Sequence, residues 1–443
     1  MSLKPLPHVH IETFGCQMNE SDSELVRSLL KQQGFVFTED RERADVLLVN
    51  TCAIRENAHN KIYAHLSELK SVKKQRPLVV GVLGCMAQNL KSDLADKEPI
   101  VDVLAGPDSY RQLPSLLTTA LEAQAQGLAQ KRFALDLSEY ETYEGILPDR
   151  DSGVNAWITV MRGCDNFCSF CVVPYTRGRE RSRDPESILN EARDASARGF
   201  RQVTLLGQNV NSYRYGDWDF AGLIRAVADT PGIERVRFTS PHPKDFPPSL
   251  IKSIGTHPKV CKHIHLPLQS GSDRILELMG RTYTGADYLA LVDRIRRAIP
   301  DIVLTTDIIC GFCSESDDDF NATVRLVEQA RLDSAYIFKY SERKNTIAAR
   351  KYADDVPDQV KGRRVSKLVE IQRTITAERN HRYIGKHVEI LVEGDATRSS
   401  TQGMGKTDGN ITVVWDKSTG HPSPGTIVTK YIFDASAATL YGK

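Results

Sequence analysis

The stretch Arg162-Gly163-Cys164-Asp165-Asn166-Phe167-Cys168-Ser169-Phe170-Cys171 constrains this chain more than any other. Its cysteines are spaced Cys-x3-Cys-x2-Cys and follow directly on the run Trp157-Ile158-Thr159-Val160-Met161, which reads as a buried strand. The thiols therefore hang from a strand end on one short loop. Three thiolates so placed suit three irons of a 4Fe–4S cluster, whereas ferredoxin-type clusters take four cysteines. The fourth iron would stay open to a small molecule. A zinc site would ask for a fourth Cys or His close by. Cys261 lies about 90 residues on, outside the usual ligand spacings. A disulfide framework does not suit 443 residues with nine cysteines and no apolar leader at Met1-Ser2-Leu3-Lys4-Pro5.

Strand-like and helix-like segments alternate through residues 6–123, which predicts an open parallel α/β domain. Strands are expected at 9–14, 46–49, 78–83 and 101–104. An amphipathic helix is expected over 21–33, with Leu25, Leu29 and Leu30 on one face and Gly34 as its stop. Cys16, Cys52 and Cys85 each lie just past one of the first three strands, 36 and 33 residues apart, about one strand–helix unit each. Loops after parallel strands share one sheet edge, so these three cysteines are expected to meet there. Residues 124–150 read as a linker or extended arm.

A second alternating run occupies 151–379. Strands are expected at 157–161, 202–206, 235–239, 263–268, 302–309 and 335–340, with helices over 185–198, 288–298, 317–330 and 360–381. Six such units predict a partial (β/α)6 barrel with its chemistry at the strand C-termini. Polar groups collect there: Gln208 and Asn209, Ser240, His265 and Gln269. Cys310 and Cys313 form a Cys-x2-Cys pair but read as structural, because Cys310 falls inside a strand; Cys261 reads the same way. Four arginines in seven residues, Arg177 to Arg183, suit phosphate or carboxylate contacts of a substrate or cofactor. Residues 380–443 turn strand-like, at 388–392, 411–414, 427–433 and 438–441, predicting a small β-barrel.

Net charge is +1, from 58 basic and 57 acidic residues, so composition alone does not point to nucleic acid. No run of about 18 apolar residues occurs, so no membrane partner is expected.

The cysteine loop resembles the signature of the radical S-adenosylmethionine (SAM) enzymes. Over nearly its whole length the chain resembles their methylthiotransferase family, in the tRNA-modifying branch. The likeness rests on Thr13-Phe14-Gly15-Cys16-Gln17-Met18-Asn19, Asn50-Thr51-Cys52-Ala53-Ile54-Arg55-Glu56-Asn57-Ala58, the segment from Cys171-Val172-Val173-Pro174-Tyr175 through Arg183, and His265-Leu266-Pro267-Leu268-Gln269-Ser270-Gly271-Ser272-Asp273. It implies a C-terminal TRAM domain, an OB-like RNA-binding barrel, with Arg382, Lys386, Arg398, Lys406 and Lys430 among its basic residues. It implies a SAM-binding 4Fe–4S cluster on Cys164, Cys168 and Cys171, and an auxiliary, sulfur-carrying one on Cys16, Cys52 and Cys85. SAM contacts are implied for Phe170, Arg177, Gln208, Asn209, Ser240, His265 and Gln269. Where many members read Gly-Phe-Pro-Gly-Glu, this chain has Gly311-Phe312-Cys313-Ser314-Glu315.

The implied reaction inserts a methylthio group at C2 of N6-dimethylallyladenosine beside the anticodon, using two SAM molecules. The implied partners are a tRNA anticodon stem-loop and an external electron donor, for a cytoplasmic monomer. Related branches act on threonylcarbamoyl-adenosine in tRNA or on an aspartate of a ribosomal protein; Gln17-Met18-Asn19 fits them less well. An iron–sulfur electron carrier or a non-catalytic RNA-binding protein would have no use for an open iron.

Overall fold

The computed structural model describes residues 6–53, 56–128, 130–397 and 399–443. Ile54, Arg55 and Arg398 from the motifs above lie outside the described residues.

The first sheet has six parallel strands in the order Val36–Phe37, His8–Phe14, Val46–Thr51, Val79–Gly84, Val103–Ala105, Arg132–Ala134. Val46–Thr51 is buried throughout because both sheet faces are covered. Val46 and Leu48 pack with Leu25 and Leu29 of the helix Gln17–Lys31, while Leu47 and Val49 pack with Ile62 and Leu66 of the helix Glu56–Gln75. The last strand, Arg132–Ala134, falls inside the segment read as a linker. Arg181 holds the chain beyond it by donating to the carbonyls of Ser138 (2.6 Å) and Glu141 (3.2 Å).

The central domain carries the six expected parallel strands in sequential order. Asn155–Thr159, Gln202–Leu206 and Arg235–Phe238 form one sheet; His263–His265, Val303–Cys310 and Ser334–Lys339 form the other. A bridge between Val236 and Val260 joins the two. The fourth strand stops earlier than expected, before Pro267, which has no N–H to give a ladder.

The C-terminal barrel is closed by five strands, His387–Ala396, Ser399–Thr407, Thr412–Asp416, Leu440–Gly442 and Ile427–Ala435. It docks at the N-terminal ends of the central strands. Arg237 donates to the carbonyls of Asp408 (2.7 Å) and Thr407 (2.6 Å), and Arg235 to that of Lys406 (2.6 Å). The strand C-termini are thereby left open on the opposite side.

Domains one and two also meet through charge. Arg150 pairs with Glu191 and, at 3.0 Å, with Glu24. Burial pushes the Glu24 carboxyl up to about 7; Arg150 opposes this, but nearby Glu191 reinforces it. The folded protein then binds a proton that the unfolded chain has lost, between the ordinary value of 4.5 and about 7. Stability is therefore expected to fall as pH rises through that window. Glu24→Gln should raise the thermal midpoint at pH 8 and leave it near wild type at pH 5; equal shifts at both pH values would contradict this.

Candidate iron–sulfur and SAM site

The Cys164 loop leaves its strand through Gly163, at φ +79°, where a Cβ would lie 1.9 Å from the Arg179 carbonyl oxygen. The Gln208 side-chain oxygen accepts from the Gly163 N–H at 2.6 Å. Ser169 anchors the other end of the loop, its N–H and hydroxyl donating to the carbonyls of Met279 (2.8 Å) and Leu278 (2.7 Å). Each loop sulfur receives one donor: Asn166 Nδ2 on Cys164 (3.4 Å), Arg281 Nη1 on Cys168 (3.3 Å) and the Val173 N–H on Cys171 (3.5 Å). Burial pushes the Cys164 thiol up to about 11 and Cys171 to about 12, so loading iron must displace protons. Donors aimed at the sulfurs favour the thiolate form that iron takes.

Cys16, Cys52 and Cys85 follow three adjacent strands, at the edge where the strand order reverses and ligand crevices form. A Cβ on Gly15 would lie 2.8 Å from the Cys52 Cβ, so the first two loops touch. Asn19 and Asn50 tie them: Asn19 Nδ2 donates to Asn50 Oδ1 (3.0 Å), and Asn50 Nδ2 to the Asn19 carbonyl (2.9 Å). A hydrogen bond with Cys52, with help from Arg177, pulls Cys16 down to about 6 against its burial. Burial raises Cys85, but Arg177 Nε donates to its sulfur at 3.1 Å.

The cysteine-bearing loops of the two domains touch. Val172, next to Cys171, packs in one apolar cluster with Cys85 and with Ala53, next to Cys52. No three His, Cys, Asp or Glu side chains among the described residues converge on a point suited to one metal ion. Each triplet offers three thiols, the number a 4Fe–4S cluster with one open iron takes from the protein.

A buried carboxylate fixes this juxtaposition. Asp22 accepts from Arg162 (2.8 Å) and Arg177 (2.7 Å), and all three side chains are almost wholly buried. The basic stretch thus differs from its reading as a ligand clamp. Arg177 pairs with Asp22, Arg181 with Asp108 (2.9 Å) and Arg183 with Glu191, because buried guanidiniums need carboxylates. Arg179 is exposed and pairs with Asp165 (2.7 Å). Arg177 lies against Cys85.

The other residues expected to bind SAM gather at the strand C-termini. Phe170 packs with Met279 and Phe312. Asn209 Nδ2 donates to Glu180 (3.0 Å) and Asp245 (3.2 Å), while its Oδ1 is buried with no hydrogen-bond partner. The Gln269 side-chain oxygen is likewise buried and unpartnered. A buried acceptor without a protein partner can take a donor from a ligand or from water. Ser240 and Gln269 both adopt positive φ, +59° and +71°, a strain typical of ligand sites. His265 Nε2 is 3.1 Å from Asp307 Oδ2.

Sequence reasoning missed Arg281 and Asp22, and it read Asn19 and Asn50 as motif residues without a role. Asp22 had a signal: it shares a helix face with Met18, Leu25 and Leu29, where a lone charge is out of place. Cys310 and Cys313 pack in separate apolar clusters. In the C-terminal barrel, Lys430 is buried over the Trp415 ring, and before it Arg382, about a quarter exposed, pairs with Asp333 at 3.0 Å.

Family profiles match three segments: Uncharacterized protein family UPF0004 at residues 8–106, Radical SAM superfamily at 158–327 and TRAM domain at 381–443. The chain is 48% identical over 445 residues to the tRNA-2-methylthio-N(6)-dimethylallyladenosine synthase of Porphyromonas gingivalis, covering 98% of this chain and 94% of that one. It is 45% identical to that of Pelodictyon phaeoclathratiforme, covering 98% of each. Among solved structures it resembles the radical SAM methyltransferase TsrM of Kitasatospora setae in fold, with a TM-score of 0.56 at 14% identity over 74% of this chain and 72% of that one. Among the described residues no helix is long and apolar enough to cross a membrane. With three segments matched by family profiles and nearly the full length aligned to its relatives, the chain belongs to the family of the tRNA-2-methylthio-N(6)-dimethylallyladenosine synthases.

Proposed function

We propose that this radical SAM tRNA methylthiotransferase inserts a methylthio group at C2 of N6-dimethylallyladenosine beside the anticodon. The observation that carries this reading is the contact of the two cysteine-bearing loops, where Val172 packs against Cys85 and Ala53, in a chain of this family. Cys164, Cys168 and Cys171 would hold one 4Fe–4S cluster, and Cys16, Cys52 and Cys85 the other. When bound, the clusters and SAM supply the electron, the radical chemistry and the sulfur, work beyond acid–base side chains at an aromatic C–H. The chain's own groups do the placing. Asn209 and Gln269 would offer their unpartnered oxygens to the donors of SAM, and Asp22 ties the first domain to the cysteine loop's domain through Arg162 and Arg177. The adenosine must leave its stack for C2 to enter. An external donor supplies electrons, and the enzyme acts as a cytoplasmic monomer.

The test is anaerobic reconstitution, then SAM, dithionite and a dimethylallylated anticodon stem-loop, with nucleosides read by mass spectrometry. A methylthio product is expected. SAM cleavage with an unmodified base would refute the substrate reading.

A further inference from the structure

Ser334–Lys339 is the last strand in the row of six, and among the described residues no strand pairs with its outer edge. Ala335 and Ile337 pack outward against Phe320, Val324 and Leu368 of the helical layer. Strand alternation then turns Tyr336 and Phe338 into the barrel. Both remain open to solvent, at 60% and 45%. In register, Tyr336 lies beside Asp307 and Phe338 beside Ile309. The His265 ring stands 6.0 Å from that of Tyr336, edge-on, and is fixed by Asp307 (3.1 Å) and the Thr305 hydroxyl (2.9 Å). Scattered exposed aromatics need no explanation. Two at successive inward positions, on the concave wall of an open barrel, form a surface on which flat rings stack.

We propose that Tyr336 and Phe338 are the platform that receives the unstacked adenosine with its dimethylallyl tail. This rests on the proposed reaction. The adenine of SAM offers the same ring chemistry, but two observations favour the RNA base. The pair lines the open edge of the barrel, which a macromolecule can reach. The orphaned acceptor of Asn209 instead lies just past the second strand, four strands away in the row of six. The platform fits a purine by stacking, and the tail by contact with Phe338 and Ile309.

The test uses the full-length protein. Fluorescence anisotropy measures binding of anticodon stem-loops carrying adenosine or N6-dimethylallyladenosine, for wild type, Tyr336→Ala, Phe338→Ala and Tyr336→Phe. In parallel, the reconstituted enzymes give the KM for SAM in 5′-deoxyadenosine formation. Wild type is expected to prefer the modified loop by about tenfold. Phe338→Ala, which removes the contact with the tail, should lose most of that preference. Tyr336→Ala, which removes stacking from a purine common to both loops, should bind each about tenfold less tightly. Both variants should keep an unchanged KM for SAM, and Tyr336→Phe should bind both loops as wild type does. A Phe338→Ala enzyme that keeps the preference, or a Tyr336→Ala enzyme that binds both loops like wild type, overturns the proposal. So does a raised KM for SAM with loop binding unchanged, which would assign the rings to the cofactor's adenine. A wild-type enzyme without any preference would sink the substrate reading itself, and this assignment with it.

Discussion

Cys52→Ala is expected to leave SAM cleavage running and to abolish the methylthio product, whereas Cys168→Ala should abolish both. The two triplets sit on different domains, each with its own loop and its own hydrogen-bond donors. Removing one thiol should therefore empty one site and spare the other. The product loss should exceed about a thousandfold, since the residual path lacks a cofactor that carries the difficult chemistry. Parallel assays of 5′-deoxyadenosine and of modified nucleoside check this. Equal loss of both in the Cys52 variant would mean that the sites do not work separately.

Asp22→Ala should cost stability on the scale of roughly 3–5 kcal/mol, because it leaves the buried Arg162 and Arg177 without their shared carboxylate. Burial pushes the Asp22 carboxyl up, but Arg177 and Arg162 overcome this and leave it below its usual value of 3.8. Its contribution is thus full above that value and is lost as pH falls through the lower, folded one. Urea denaturation of the full-length chain at pH 7 reads the effect. A loss under about 1 kcal/mol, as for a surface pair, would show that Asp22 does not join the domains. Since Arg177 also touches Cys85, the same variant should load less iron on the first triplet.

Much of this architecture is legible in the sequence because buried parallel strands read as short apolar runs. All six barrel strands lie within a few residues of their expected places, and 202–206 coincides. The strand Ser399–Thr407 was not legible. Ser399-Ser400-Thr401-Gln402-Gly403-Met404-Gly405-Lys406-Thr407 carries no alternating apolar pattern. Its place is set by its partners: a Cβ on Gly403 would lie 2.5 Å from the Trp415 ring, so the strand pairs only where glycine lets that ring lie flat. The strand Arg132–Ala134 was hidden for another reason. Three residues are too few to show a period, and the sheet edge recruits them.

At the site, the thiols were readable from spacing, and the groups around them were not. Arg177 and Arg183 look alike in sequence, as members of one basic run. Only the fold shows that one reaches Cys85 and Asp22 while the other is held by Glu191 and Ser187. The same holds for Arg281, more than a hundred residues from the Cys168 sulfur to which it donates.

Iron counting on three reconstituted proteins tests the central claim most directly: wild type, Cys16/Cys52/Cys85→Ala and Cys164/Cys168/Cys171→Ala. Two independently held 4Fe–4S clusters predict about eight irons per chain in wild type and about four in each variant, with Mössbauer spectra of the variants summing to that of wild type. About four irons in wild type, unchanged by either set of substitutions, would contradict the account.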